Sequence, residues 1–202
     1  MKAALDKLAQ SYDDRAVARF ETLLDELERW NRKFNLTAIR KRDEMVTAHI
    51  IDSLVARPLL HGENILDVGT GPGFPGLPLA ICEPRRKFTL LDSNNKKIMF
   101  VQHVAGLLGL DNVEAVKGRG EDYAPGHRFD TVIARALAAL PRLVEIAGHH
   151  VREDGVFVAL KGRYPAEELE EVTAPWSHEV EMLDVPGLEK GSRHAVLLRR
   201  AG

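Results

Sequence analysis

A carboxylate and three glycines fall within seven consecutive positions: Asp67, Gly69, Gly71 and Gly73. They follow Ile65, Leu66 and Val68, an apolar run without helical period that reads as a strand buried on both faces. After Gly76 the spacing of Leu77, Leu79, Ala80 and Ile81 turns helical. Strand, glycine loop and helix start together form the place where an open α/β sheet holds a nucleotide-like ligand. Glycine lets the backbone approach such a ligand closely and tolerates positive φ. Pro72, Pro75 and Pro78 stiffen the same stretch and remove amide donors from it. A phosphate cradle needs those donors, so their loss argues against a pyrophosphate. The string Gly71-x-Gly73-x-x-Gly76 still satisfies the dinucleotide fingerprint literally, and a nicotinamide-dependent oxidoreductase stands as an alternative.

An acid just before G-x-G-x-G resembles motif I of S-adenosylmethionine-dependent methyltransferases. Their ligand carries a sulfonium and an amino-acid tail where a dinucleotide carries phosphates, so a nearby acid is favourable. Asp92 ends a second strand, twenty-three positions after Gly69. Its carboxylate can accept from both ribose hydroxyls, or it is a surface acid or cap of the following helix. The run Lys117-Gly118-Arg119-Gly120-Glu121-Asp122 follows a third strand and, in methyltransferases, borders the adenine. Glu121 or Asp122 can instead cap a helix. A fourth strand ends in Ile133-Ala134-Arg135-Ala136, the position that faces the methyl group in that fold. Enzymes acting on exocyclic amines place an acceptor-rich segment there, whereas this sequence has an arginine between alanines. A target with a free lone pair and no proton to lose fits, as guanine N7 does. Arg135 can serve the cofactor carboxylate, a phosphate or guanine O6. Lys161 and Arg163 after the fifth strand, with Arg32, Lys33 and Arg40 near the N-terminus, are candidate contacts for an RNA backbone. The acids interspersed around Arg32 and Arg40 equally suit a solvated helix face.

The elements that must position these residues follow from periodicity. Val17, Phe20, Leu23, Leu24, Leu27, Trp30 and Phe34 form one stripe of a long amphipathic helix. A second helix is expected from near Asp43 to Leu60, with an elbow at Asn35-Leu36-Thr37-Ala38-Ile39 between them. His49, Asp52 and Ser53 share one face of it and can hydrogen-bond one another. From Asn64 onward strands alternate with helices, which implies a mostly parallel sheet covered on both faces. The expected strands are 65–68, 87–91, 113–116, 129–134, 156–160, 179–185 and 195–199. The expected helices are 76–82, 94–108, 137–149 and 165–172, with a short turn near Glu121. The last two strands are too closely spaced for a helical crossover and should form an antiparallel hairpin.

With 202 residues the chain is long enough for one domain with a small appendage, and 45% apolar residues allow a sizeable core. The split expected is a helical extension over 1–60 and the α/β unit over 61–202, packed together. A net charge of −2 leaves any nucleic-acid site to a local patch. The single cysteine excludes an internal disulfide and suggests a reducing compartment. No apolar run approaches a membrane span and no signal-peptide pattern opens the chain, so a cytoplasmic protein without membrane contact is expected. The eight histidines show no metal spacing, and no serine or cysteine nucleophile is set up.

These residues together resemble the bacterial small-subunit ribosomal RNA guanine-N7 methyltransferases, the glucose-inhibited division protein B family, over nearly the whole chain. Trp30-Asn31, Asn35-Leu36-Thr37, His49 and Asp52-Ser53-Leu54 are similar to its N-terminal signature. Asp67 through Gly73 with Pro78-Leu79, then Leu91-Asp92-Ser93, Arg119 to Glu121, Arg135-Ala136 and Lys161-Gly162, continue the agreement in order. The resemblance implies the class I S-adenosylmethionine-dependent methyltransferase fold, a seven-stranded mostly parallel sheet with a C-terminal antiparallel hairpin, preceded by N-terminal helices. It implies S-adenosyl-L-methionine as cofactor and 16S ribosomal RNA or the small ribosomal subunit as partner, for a monomeric enzyme. By resemblance Gly69, Phe74, Gly120, Glu121 and Arg135 touch the cofactor, beside Gly71, Gly73 and Asp92. Gly120 departs from the alanine more often expected there. No general base is implied; Arg135 positions. A third reading, a non-catalytic ribosome-assembly or RNA-binding factor, is opposed by the intact glycines, Asp92 and Glu121.

Overall fold

The computed structural model describes residues 1–8, 10, 12–188 and 193–201. After a short α1 (Lys2–Leu5), the amphipathic stripe forms α2 (Asp14–Phe34). Asp13 caps it by accepting from the Ala16 amide at 2.7 Å, and Asn35 ends it in the left-handed conformation at φ 51°. Its buried face is Phe20, Leu23, Leu24 and Leu27, as the spacing requires.

The second helical run differs from the single helix expected. It consists of α3 (Arg42–Met45), a π-helical turn (Val46–Ile51) and α4 (Asp52–Leu54), with a 3₁₀ turn (Arg57–Leu59) beyond. π-turns are rare and gather at functional sites. Here the wide turn contains His49 and leads directly into Asp52.

The sheet comprises β1 (Asn64–Val68), β2 (Lys87–Asp92), β3 (Val113–Lys117), β4 (Phe129–Arg135), β5 (Val151–Lys161), β6 (Trp176–Leu183) and β7 (Arg193–Arg200). Their order is β3-β2-β1-β4-β5-β7-β6. The first five pair in parallel, and β7 inserts antiparallel between β5 and β6. The connection between β6 and β7 lies partly outside the described residues. The crossovers carry α5 (Gly76–Cys82), α6 (Asn95–Leu108), α7 (Leu140–Ala147) and α8 (Ala166–Glu170).

Alternation along the strands feeds two cores. Ile65, Leu90, Ile133 and Val158 face a cluster built with α2, the α3–α4 run, α5 and α6. Leu66, Leu91, Val132 and Phe157 face the opposite cluster around Leu140, Leu143 and Ala147 of α7. β5 begins five residues earlier than expected. Its polar start, Arg152-Glu153-Asp154, is exposed beyond the covering helices, and its pairing with β4 shifts register between Phe129 and Thr131. Among the described residues no helix is long and apolar enough to cross a membrane.

Candidate active site

The loop after β1 is held from within. Gly69, Gly71 and Gly73 all have positive φ, at 70°, 61° and 92°. The amides of Gly69 and Thr70 donate to the Leu91 carbonyl at 2.8 and 3.0 Å. Gly71 donates to Asp92 Oδ2 at 2.9 Å. Gly73 and Phe74 donate to the Thr70 carbonyl at 3.1 and 2.9 Å, and Leu77 donates to Gly73 at 2.7 Å. Gly76 donates to Asp67 Oδ2 at 2.8 Å. With prolines at 72 and 75, every amide donor from Gly69 to Leu77 is already engaged. A pyrophosphate would find no free amide donor in this loop.

Asp67 therefore acts differently from the sequence expectation. It is fully buried and ties the loop together, accepting from Thr70 Oγ1 at 2.6 Å as well as from Gly76. Burial pushes its carboxyl up to about 6, against the pull of those two hydrogen bonds. Gly73 also has a packing role, since a Cβ there would stand 2.3 Å from Leu77 Cδ1. At Gly71 the same position is open, with only Lys97 Nζ at 3.9 Å.

Beside this loop lies a cleft of about 280 Å³ lined by Gly69, Asp92, Ser93, Gly120, Glu121 and Leu137, among others. Asp92 is 9% exposed and accepts from Gly71 on one oxygen and from Asn94 N at 2.7 Å on the other. It is neither a surface acid nor the cap of α6. That cap is Asn94, whose Oδ1 accepts from the Lys96 amide at 3.0 Å. Each Asp92 oxygen keeps a second lone pair for a hydroxyl. Gly120 fits only as glycine without displacing Ile146, because its Cβ would stand 2.5 Å from Ile146 Cγ2. Its carbonyl accepts from His150 Nε2 at 2.9 Å. Glu121 is paired with Arg142 at 2.5 Å. Residues 120–122 form a turn with no helix after it, so neither Glu121 nor Asp122 is a helix cap.

Phe74 is corrected in a different way. Its ring is 3% exposed, does not line the cleft and stacks on His49 with centroids 4.5 Å apart and planes at 14°. Only its backbone is left for a cofactor. His49 Nε2 sits 3.1 Å from Thr37 Oγ1. Burial, reinforced by the Arg135 charge, lowers its pKa to about 4. Ser53 Oγ donates to the His49 carbonyl, but Asp52 turns away from both. Asn31 clips the elbow by accepting from Thr37 N at 2.9 Å and donating to Thr37 O at 3.0 Å.

Asp52 joins three distant segments. Its Oδ2 accepts from Arg135 at 2.7 Å and its Oδ1 from Arg193 Nε at 2.6 Å; Arg135 also donates to the Ala48 carbonyl at 2.9 Å. These groups line a second cavity of about 370 Å³, with His49, Ala136, Leu160, Gly162 and His194. Lys161 lines it as well but is not a free cation. Its Nζ donates to Glu168 at 2.6 Å and to Ala138 O at 2.9 Å, and so pins the segment after β4. That segment carries Ala136 at φ 52°, and Leu137, whose Cδ1 occupies the space a Cβ on Gly69 would need, at 2.7 Å. Leu137 is therefore spent on the cleft, Ala138 holds Lys161, and α7 starts at Leu140. Arg32, Lys33 and Arg163 are exposed; Arg40 is exposed too and donates to Asn35 Oδ1 at 2.9 Å. Among the described residues no three His, Cys, Asp or Glu side chains converge on a metal position.

The family model described as GidB, rRNA small subunit methyltransferase G, matches residues 16–196. The chain belongs to this family. A relative from Idiomarina loihiensis named ribosomal RNA small subunit methyltransferase G is 43% identical over 201 residues, covering 99% of this chain and 97% of its own. One of the same name from Aeromonas salmonicida is 49% identical over 176 residues, 85% of this chain and 83% of its own. A solved SAM-dependent methyltransferase from Aquifex aeolicus superposes with a TM-score of 0.56 at 19% identity, covering 77% of this chain and 92% of that one. That likeness concerns the fold, which is the class I methyltransferase fold. Family membership gives no support to the nicotinamide reading or to the non-catalytic one. Arg193 and His194 entered no expectation. They open the last strand, and nothing in their local sequence distinguishes them from ordinary surface residues.

Proposed function

We propose that the chain transfers the methyl group of S-adenosylmethionine to N7 of a guanine in 16S small-subunit ribosomal RNA. The observation that carries this reading is a shared wall. Ala136 lines one cavity and its neighbour Leu137 lines the other, so two ligands would meet at the end of β4. The cleft at Gly69 suits a nucleoside without phosphates, since its loop has no amide donor to give and Asp92 has lone pairs to offer.

In the proposal Asp92 holds the ribose, and the Gly120–Glu121 backbone, fixed by His150, borders the adenine. Gly69 and Gly71 admit the cofactor close to the chain, and the Phe74 contact is made through its backbone. When bound, S-adenosylmethionine supplies an electrophilic methyl group on a sulfonium. The second cavity takes the target base. Arg135 and Arg193, oriented by Asp52, present guanidinium groups whose remaining N–H donors suit guanine O6 or a phosphate.

Three titratable residues of the second cavity are occupied by internal partners. Asp52 is committed to two arginines, His49 is engaged with Thr37 and resists charging, and Lys161 is paired. A guanine N7 target needs no base, because its lone pair is free. Holding two reactants in line can lower a barrier by roughly 7–11 kcal/mol through orientation alone.

The test is single-turnover transfer of labelled methyl to small-subunit RNA lacking the modification, with the product mapped by the strand scission that N7-methylguanine permits. The rate should stay nearly flat between about pH 6 and 9, where histidine and thiol bases titrate. Arg135→Ala should lower it equally across that range. Label on an exocyclic amine or ribose, or a steep pH dependence removed by mutating one acid or histidine, would sink the proposal.

A further inference from the structure

Several cations around the active-site rim are already neutralised. Arg29 pairs with Glu26, Lys41 with Glu44, and Arg42 with Glu21, Asp25 and Glu28. Arg135 and Arg193 share Asp52, and Lys161 pairs with Glu168. Among the cations left unpaired within the described residues, one group is distinguished by converging on a single ring. Lys33 at the end of α2 and Lys96 at the start of α6 place their ammonium groups 5.4 and 5.9 Å from the centroid of the same ring, Phe34. Neither they, nor Arg32, nor Lys97 forms an ion pair among the described residues. Lys97 carries the charge onward to the cofactor loop, its Nζ lying 3.9 Å from where a Cβ on Gly71 would stand.

Phe34 gives the two ammonium groups an attractive aromatic face but no counter-charge, and two features favour an anion there. Like charges converge on one ring in a chain whose acids, 30 against 28 lysines and arginines, are numerous enough to pair them. Lys96 and Lys97 also occupy the first turn of α6, which contains no acid, so they face the positive end of the helix dipole. An anion laid across the patch would relieve both. Several cations on long stems, leading from the end of α2 to the cofactor loop, suit a polyanionic phosphodiester backbone better than a single small anion.

We infer that Arg32, Lys33 and Lys96 form the docking track for the RNA backbone, with Lys97 joining it to the active site; the inference rests on the RNA methylation proposed above. The track makes phosphate contacts, so it adds affinity for any sequence and leaves the choice of guanine to the second cavity.

The experiment compares wild type, Arg32→Gln/Lys33→Gln/Lys96→Gln, and a matched control, Arg85→Gln/Lys87→Gln/Arg128→Gln. The control removes the same charge from exposed residues at the opposite, amino-terminal edge of the strands. Binding of unmodified small-subunit ribosomal RNA transcript is measured over a series of salt concentrations, alongside methyl transfer and calorimetric cofactor binding. The track variant should bind roughly tenfold or more weakly, and its slope of log affinity against log salt should be shallower by about 2, some 0.7 per lost contact. Its KM for RNA should rise, while kcat at saturating RNA and cofactor affinity stay within about twofold. Equal weakening in the control would reduce the effect to net charge and overturn the inference. So would an unchanged track variant, or a loss seen with assembled subunits but not with RNA, which would assign the patch to a protein. A wild-type enzyme that neither binds nor methylates ribosomal RNA would instead defeat the functional proposal itself.

Discussion

The two cavities that meet at β4 are built by opposite strategies. The cleft beside the glycine loop comes from three successive strand ends, at Gly69, Asp92 and Gly120, and is closed by Leu137 and Ile146. The second cavity is made of side chains, and its residues come from the elbow, the π-turn, β4, β5 and β7. The first is tied largely by backbone amides of the glycine loop that donate to the end of the adjacent β2. The second depends on one carboxylate, Asp52, bridging residues that lie far along the chain. Damage to the first should therefore appear in cofactor affinity, and damage to the second in turnover.

The largest expected effect tests the first half of that contrast. Gly71→Val puts a β-branched residue at φ 61° and fills the open space beside the cleft. Calorimetry should detect no S-adenosylmethionine binding in the folded variant, while RNA affinity holds. Unchanged cofactor affinity would remove this loop from the site.

Asp52→Ala tests the second half. It strands two partly buried guanidinium groups, whose side chains are 17% and 27% exposed. Chemical denaturation should show a loss of about 3 kcal/mol, and kcat should fall on the order of 100-fold because the arginines lose their placement. Cofactor affinity should change much less. If cofactor binding falls as far as turnover, the two cavities are a single cooperative unit and the contrast fails.

Asp92→Ala should weaken cofactor binding by about 1–3 kcal/mol, a hydrogen-bonding loss. Part of this comes through the loop, since Gly71 and Asn94 lose their acceptors together. Equal affinities for mutant and wild type would leave Asp92 as a loop tie alone.

The last effect is on stability alone and is read from pH. His49 has a folded pKa of about 4 against 6.5 in the unfolded chain, because burial and Arg135 oppose its charging. Unfolding takes up a proton between those values, so the stabilisation is present above pH 6.5 and lost as pH falls toward 4. Asp67 runs the other way: its contribution is present below 3.8 and lost as pH rises through about 6. Subtracting the unfolding free energies of wild type and His49→Gln cancels Asp67. The difference should move by on the order of 2–3 kcal/mol across pH 4 to 6.5. A flat difference would mean that His49 is not buried neutral.

How far each region could be read from residues alone follows from the same contrast. Periodicity and turn chemistry are local, so α5 appears over the expected residues and β1 to β4 within a residue at either end. Motif I, Asp92 and the Gly120 turn were legible because each lies at the end of a strand, and parallel strands bring those ends together by topology. The elements that went astray had their boundaries decided by tertiary contacts. The π-turn at Val46–Ile51 sits where Ala48 and Asp52 meet Arg135, and α7 is shortened because Leu137 packs over Gly69.

The sequence by itself determined the fold class, the glycine loop after β1 and the kind of chemistry. Hydrophobic period, glycine placement and the missing acceptors at Arg135 all act over a few residues. Tertiary structure alone decided which charges remain available. Asp67, Lys161 and Arg135 read as free groups and are bound to internal partners, whereas Lys33, a candidate RNA contact, and Lys96, which entered no expectation, converge on Phe34. Charge acts through space, and only the packed chain sets the distances over which it does so.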